Sequence, residues 1–358
     1  MSQREPVVLT AVPYVSPGPY RVEYPYVYNF TINHLERCNQ VKPFVVLIVP
    51  VAPENSQHRV NIRRTWGSQT LMQDKVVSLF FLLGQPSMGN VMQIQQQVME
   101  ESNTYGDLLQ SDFLDCYKNL TIKTMVMMEW LSSYCTTATY AMKIDSDMFL
   151  NVHNLISMLL TAKKENYLTG LVAHGAAVLR DKTAKWYLPP SVFPERHYPP
   201  YALGLGYIFS LDLPKKIVEA SRHVPAVYIE DVYVGLCMRH LQILLTDPPA
   251  NKFHVFPLNY NRCAYSRIIA TTTTDSINVS ENWKDFMRPG GSSTLGAVSG
   301  LLLGVLSLGP FGPAGCCLSG SGGLGTGAPC GTACDPSQCG RPQRWYFLNP
   351  QCHAMSSD

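Results

Sequence analysis

Tyr-Ala-Met-Lys-Ile-Asp-Ser-Asp-Met-Phe-Leu, residues 140–150, is the stretch whose reading decides the fold. Tyr140 to Ile144 reads as a short strand running straight into Asp145-Ser146-Asp147, and a helical pattern follows from Val152 to Lys164. In an open α/β sheet, acids leaving the C-terminal end of a strand point into the crevice where ligands bind. Two carboxylates one residue apart can converge there on one hard cation and its nucleotide phosphates. Mg²⁺ or Mn²⁺ is usually held in that way, by one or two carboxylates plus substrate oxygens. Acidic turns also occur for purely structural reasons, so this D-x-D does not identify a site by itself.

Upstream, Phe44 to Val51 is a nearly continuous apolar run of strand length, and a helix follows to Trp66 with Asn55 or Ser56 as its cap. Lys75 to Gly84 reads as a second buried strand. Asn90 to Ser102 reads as a helix with Val91, Ile94, Val98 and Met99 at helical spacing. Asn119 to Cys135 is a longer helix, and the methionines of its stripe (Leu120, Met125, Met128, Leu131, Tyr134) read as core packing. Downstream, Glu230-Asp231 opens another helical segment. This pair is either an acidic first turn meeting the helix dipole or a second functional pair. Between the two acid pairs, Gly204 and Gly206 either let backbone approach a ligand or make a bend before a strand.

Composition divides the 358 residues into two unlike pieces. Pro289 to Asp358 holds 15 of the 25 Gly and 6 of the 11 Cys but only four charged residues, Asp335, Arg341, Arg344 and Asp358. The front piece has ordinary globular composition and is long enough to bury a core. A net charge of +2 without clustered Lys/Arg argues against a nucleic-acid partner. Met1 to Phe30 is rich in Pro and Tyr and shows no signal peptide or anchor. The apolar run Leu295 to Phe311 is broken by glycines and Pro310, and is too short to read as a bilayer span. Sequons occur at Asn29, Asn119 and Asn278, relevant only in the secretory pathway. Cys38, Cys116, Cys135, Cys237 and Cys263 show no zinc-ligand spacing.

Six blocks then occur in order: Ile62 to Gly67 (IRRTWG), Phe81 to Gly84 (FLLG), Glu101 to Asp107 continuing through Ser111 to Lys123, Lys143 to Asn151, Tyr198 to Ser210, and Ile229 to Cys237. Block by block they resemble the animal beta-1,3-galactosyltransferase family, from about Tyr28 to Phe286. The resemblance implies an α/β fold of the GT-A glycosyltransferase type, with a mostly parallel central sheet flanked by helices. Residues 1–40 would then be an extended, stem-like lead-in, 41–288 the catalytic domain, and 289–358 a disordered low-complexity tail.

The implied activity is inverting transfer of galactose from UDP-galactose to the 3-hydroxyl of a terminal N-acetylhexosamine on a glycoprotein or glycolipid. The same resemblance allows UDP-GlcNAc as donor, or a catalytically weak relative that binds UDP-sugar or glycan. It implies Mn²⁺ (or Mg²⁺), with Asp147 as ligand and Asp145 at the donor ribose or a metal-bound water. Asp231 would be the general base and Glu230 its support. Arg59 and Arg63 would lie near the nucleotide, Lys143 at the donor site, and Trp186 near the sugar. Golgi residence through a type II membrane anchor is implied too, so the anchorless N-terminus reads as an incomplete or alternative chain start. One departure stands out. Many members carry a His, which the resemblance implies as the second metal ligand, where this chain has Thr272, so His254 or another group would have to substitute. A Cys of many relatives is Ala202 here, while Cys116 is extra, which leaves disulfide pairing open.

Overall fold

A computed structural model describes residues 18–87, 89–274 and 279–288. All of them belong to one compact unit, Met1–Gly291. The Gly/Cys-rich tail, the Leu295–Phe311 run and the Asn278 sequon lie outside the described residues.

The strands are β1 (Phe30–Ile32), β2 (Val45–Pro50), β3 (Leu71–Met72), β4 (Lys75–Gln85), β5 (Leu108–Leu114), β6 (Tyr140–Ile144), β7 (Met148–Leu150), β8 (Leu168–Ala173), β9 (Tyr201–Ser210), β10 (Phe253–His254) and β11 (Ala270–Thr272). The helices are α1 (Arg37–Val41), α2 (Ser56–Arg64), α3 (Val91–Tyr105), α4 (Leu120–Tyr134), α5 (Val152–Leu159), α6 (Leu213–Ser221), α7 (Glu230–His240), α8 (Arg262–Arg267) and α9 (Val279–Phe286). The main sheet runs β1-β5-β4-β2-β6-β9-β8, with β3 paired to β4. Its centre, β5-β4-β2-β6, is parallel. The antiparallel pairs are β1 with β5 and β9 with both β6 and β8 on the flanks, and the short β3 with the start of β4. A small sheet, β10-β11-β7, continues from the D-x-D.

The apolar run of β2 is explained by its place between β4 and β6, covered on both faces. Successive side chains leave a strand on opposite sides. Val46 and Ile48 accordingly enter a core built with α4, α6 and α7, while Val45, Leu47 and Val49 enter a second core with Ile62 and Trp66. Helix α4 is buried around most of its circumference rather than along one stripe. The disulfide Cys38–Cys135 ties its C-terminal end to α1, and Cys116 and Cys237 are free thiols. Asn55 does stand at the N-cap of α2, but its side chain makes no capping bond. Asn90, Asn151 and Asn261 do cap α3, α5 and α8 with their side chains.

From residue 18 onward the expected extended, stem-like lead-in packs against the domain. Val22 N–H donates to the Ala226 carbonyl, the Tyr24 hydroxyl donates to Glu129 at 2.6 Å, and Val22 and Tyr24 are buried in the α4 core. Strand β1 then pairs with β5. Tyrosines of the segment form part of its packing surface, Tyr24 in the core and Tyr20 and Tyr28 against it.

Candidate active site

From β2 the chain moves outward through β4 to β5, then returns to the other side of β2 as β6. Helix α2, on one face, follows β2, and α4, on the other, precedes β6. The crevice between the carboxyl ends of β2 and β6 is therefore the topological switch point, where open α/β sheets bind ligands. Two turns border it: residues 51–55 after β2, and Asp145-Ser146-Asp147 after β6.

The 51–55 turn is pinned by buried cations. Lys123 Nζ donates to the Val51 carbonyl at 3.0 Å and to Asp115 at 2.7 Å. Arg59, 1 % exposed, donates to the Ala52 and Pro53 carbonyls at 3.0 and 3.1 Å and forks onto Glu101. Arg63 forks onto Asp107 at 2.8 and 2.7 Å, and also stands 2.7 Å from Glu101. Arg59 and Arg63, expected near the nucleotide, thus stand in ion pairs beside the crevice. Their guanidinium nitrogens are committed to Glu101, Asp107 and backbone, so they hold the turn that borders the crevice. Trp66 secures the other turn by donating its indole N–H to the Met148 carbonyl at 2.9 Å.

The two acid pairs meet around Lys143. Its Nζ donates to Asp145 Oδ1 at 2.6 Å and to the Gly204 carbonyl, and stands 3.7 Å from Glu230 Oε2. Burial disfavours the Lys143 charge, but Asp145 and Glu230 outweigh it and raise its pKa. Glu230, 8 % exposed, accepts from the Tyr207 hydroxyl at 2.5 Å and the Thr124 hydroxyl at 3.0 Å. Asp231 is reachable from solvent and accepts Gly204 N–H at 2.9 Å and Val232 N–H at 2.8 Å. Burial raises both carboxyls. A Cβ on residue 204 would stand 3.2 Å from Glu230 Oε2 and 3.5 Å from Asp231 Oδ2, so glycine serves close approach here.

Asp145 keeps 40 % of its side chain exposed, and Asp147 is exposed. Partial desolvation, then the Asp145 charge, raise the Asp147 carboxyl. Its carbonyl accepts from Thr273 N–H and hydroxyl, both at 2.7 Å, and Thr272 lies in register with Met148. The strand position that could present a ligand beside Asp147 thus carries a hydroxyl, which donates to the Val255 carbonyl. His254 does not replace it: its Nε2 lies 3.1 Å from the Asn251 carbonyl, and it is paired with Thr271. Trp186 is half exposed and donates to the Tyr117 hydroxyl at 2.9 Å. Burial raises the Tyr117 pKa, as do the charges of Asp231, Glu230 and Asp145.

Residues 57–249 match the family model described as Galactosyltransferase. Beta-1,3-galactosyltransferase 2 of Homo sapiens is 37% identical over 267 residues, 74% of this chain and 63% of that protein. Beta-1,3-galactosyltransferase 1 of Mus musculus is 36% identical over 265 residues, 73% of this chain and 79% of that protein. The chain belongs to the galactosyltransferase family. It spans a little under two thirds of the length of the human relative. Among solved structures, the apo WbbM bifunctional glycosyltransferase aligns with 64% of this chain and 45% of its own at 9% identity and a TM-score of 0.36, too low to bear on the site.

Within this galactosyltransferase domain the site brings together Lys143, Asp145, Asp147, Glu230 and Asp231, with Trp186 at the Tyr117 side. Sequence reasoning missed Tyr117, Tyr207 and His58. Tyr117 and Tyr207 lie inside blocks already singled out. His58, one residue before Arg59, carries no local signal; its Nδ1 is 3.1 Å from the Ser146 hydroxyl only because α2 packs beside the D-x-D turn.

Proposed function

We propose that this chain is an inverting glycosyltransferase that moves galactose from UDP-galactose to the 3-hydroxyl of a terminal GlcNAc-type N-acetylhexosamine on a glycoprotein or glycolipid. The observation that carries the reading is the joining of the D-x-D and the Glu230-Asp231 pair through Lys143 and Gly204 at the switch point. Single displacement needs a base on the acceptor hydroxyl and a neutralised diphosphate on the opposite side of the anomeric carbon.

Asp231 suits the base. It is reachable, its oxygens are fixed by two backbone N–H groups, and burial raises its proton affinity. Glu230, buried behind it, holds the position of Lys143 and Tyr207. The proton moves as the glycosidic bond forms, and no covalent intermediate is needed. Tyr117 and Trp186 offer aromatic faces beside the acids for a sugar ring.

The carboxylates also fit a divalent cation. Asp147 is exposed, accepts no hydrogen bond from another described residue, and repels Asp145, so it has both the capacity and the need for a positive partner. Among the described residues no group of three or more His, Cys, Asp or Glu side chains is placed to hold a metal ion, so the protein would supply fewer than three such ligands. That suits Mn²⁺ or Mg²⁺ shared between protein carboxylates and donor phosphates. When bound, the ion would supply charge neutralisation for the leaving diphosphate.

Golgi-luminal residence with a type II anchor belongs to the same reading. The Cys38–Cys135 disulfide supports an oxidising compartment. No helix of the described residues is long and apolar enough to cross a membrane. Thr272, in register next to Asp147, is the observation that favours a second reading, a UDP-sugar-binding relative without turnover.

The test is turnover of UDP-galactose and UDP-GlcNAc with Mn²⁺ on GlcNAc and GalNAc acceptors. Galactose transfer to GlcNAc is expected. Stabilisation by UDP and Mn²⁺ with no transfer would favour the binding relative instead.

A further inference from the structure

The nitrogen and hydroxyl groups around the D-x-D turn are nearly all committed. Lys143 is held by Asp145 and the Gly204 carbonyl. Arg59 and Arg63 are spent on Glu101 and Asp107. Thr272 donates to the Val255 carbonyl, and His254 faces the Asn251 carbonyl. His58 is different. It stands in the first turn of α2, half-buried, and its ring meets the turn through one nitrogen only, with Nδ1 3.1 Å from the hydroxyl of Ser146, the residue between the two acids. Its Nε2 makes no hydrogen bond to any described residue.

Such a one-sided anchor has chemical consequences. An imidazole that donates Nδ1–H to an oxygen presents its lone pair on Nε2, and that second bond is how the ring of a metal-binding histidine is generally oriented. His58 thus stands against Ser146, the chain neighbour of both Asp145 and Asp147. We propose that His58 Nε2 is the nitrogen ligand for the divalent cation held by Asp147, filling from α2 the place that Thr272 cannot fill from β11. The proposal rests on the metal-dependent reading above. Adding an imidazole to oxygen ligands favours a transition metal over Mg²⁺, so the device also specifies Mn²⁺.

The experiment is Mn²⁺ binding to the full chain without donor, read from the paramagnetic resonance signal of free Mn²⁺, for the parent, His58→Ala and Asp147→Ala. Mg²⁺ binding, by calorimetry, and metal-free melting temperature are measured alongside. His58→Ala is expected to weaken Mn²⁺ binding about tenfold or more, to weaken Mg²⁺ binding less, and to leave the metal-free melting temperature unchanged. Mn²⁺ affinity within roughly twofold of the parent, in a protein whose binding Asp147→Ala abolishes, would overturn the role of His58 and leave the metal site intact. Equal losses for both ions with a lowered metal-free melting temperature would overturn it as well, marking His58 as structural. A parent that binds no Mn²⁺ would overturn both this inference and the metal-dependent reading on which it rests.

Discussion

The acid pair that opens α7 and the acid pair that leaves β6 share one lysine yet are finished to different degrees. Each Asp231 oxygen has a backbone N–H, and Glu230 has two hydroxyls on one oxygen and Lys143 beside the other. On the β6 side only Asp145 Oδ1 is engaged, by Lys143, while Asp147 faces solvent without a donor from another described residue. One pair is organised before any ligand arrives, as suits a group that must act on a reacting atom. The other is left incomplete, as suits a group completed by something bound.

The sharpest way to break that contrast is to remove one acid from each side. Asp231→Asn should lower kcat/KM by about a hundredfold or more, the scale of a lost general base, and excess Mn²⁺ should not restore it. Asp147→Ala should lose about as much, but with a raised Mn²⁺ requirement. Titrating Mn²⁺ against initial rate separates the two, and identical curves would erase the division of labour. Wild-type-like turnover in either variant would remove that acid from the site.

Lys143→Met tests the shared centre. It leaves Glu230 buried and without its cation, a change that typically costs about 3–5 kcal/mol. Denaturant titration should show a loss of that order. A loss under about 1 kcal/mol would mean that the hydroxyls of Tyr207 and Thr124 suffice without the lysine. Gly204→Ala is milder, because the added methyl meets the carboxylates rather than backbone. Turnover should fall on the order of tenfold through displaced carboxylates, with little change in stability. Unchanged turnover would mean that the acids tolerate the shift.

How much of this was legible in the sequence differs between regions for physical reasons. Strand β6 and the apolar runs of β2 and β4 were legible because their signal is local periodicity, whereas the two acid pairs were ambiguous by themselves and stood out only through the ordered blocks that contain them. The partners of Arg59 and Arg63 were not, since Glu101 and Asp107 lie 42 and 44 residues away and are brought in by the packing of the crossover. The packing of residues 18–32 was not legible because Pro and Tyr are neutral as to order until something pairs with them, and here Val227 and β5 do. His58 was invisible for the same reason, as only the seating of α2 against the 145–147 turn gives it a neighbour.

The smallest effect is on stability, and it measures how far the finished pair is strained. Burial raises the Glu230 carboxyl, with Asp231 adding to the effect, while Lys143 and the Tyr207 hydroxyl oppose it. A carboxyl with a raised pKa in the folded state keeps its proton longer there than in the unfolded chain. The parent therefore loses stability as pH climbs from the unfolded glutamate value, ~4.3, to the folded value. Below that window both states are protonated and the contribution vanishes; above it the loss is complete and constant. Glu230→Gln carries no such dependence and keeps an oxygen for Tyr207 and Thr124. The unfolding free energy of the variant relative to the parent should therefore rise with pH through the window and then level off, even as activity falls. Urea titrations of both proteins across a pH series read this directly. A difference that is flat would mean that Lys143 and Tyr207 fully offset burial, and one that shrinks as pH rises that they more than offset it; either way the finished pair costs the fold nothing.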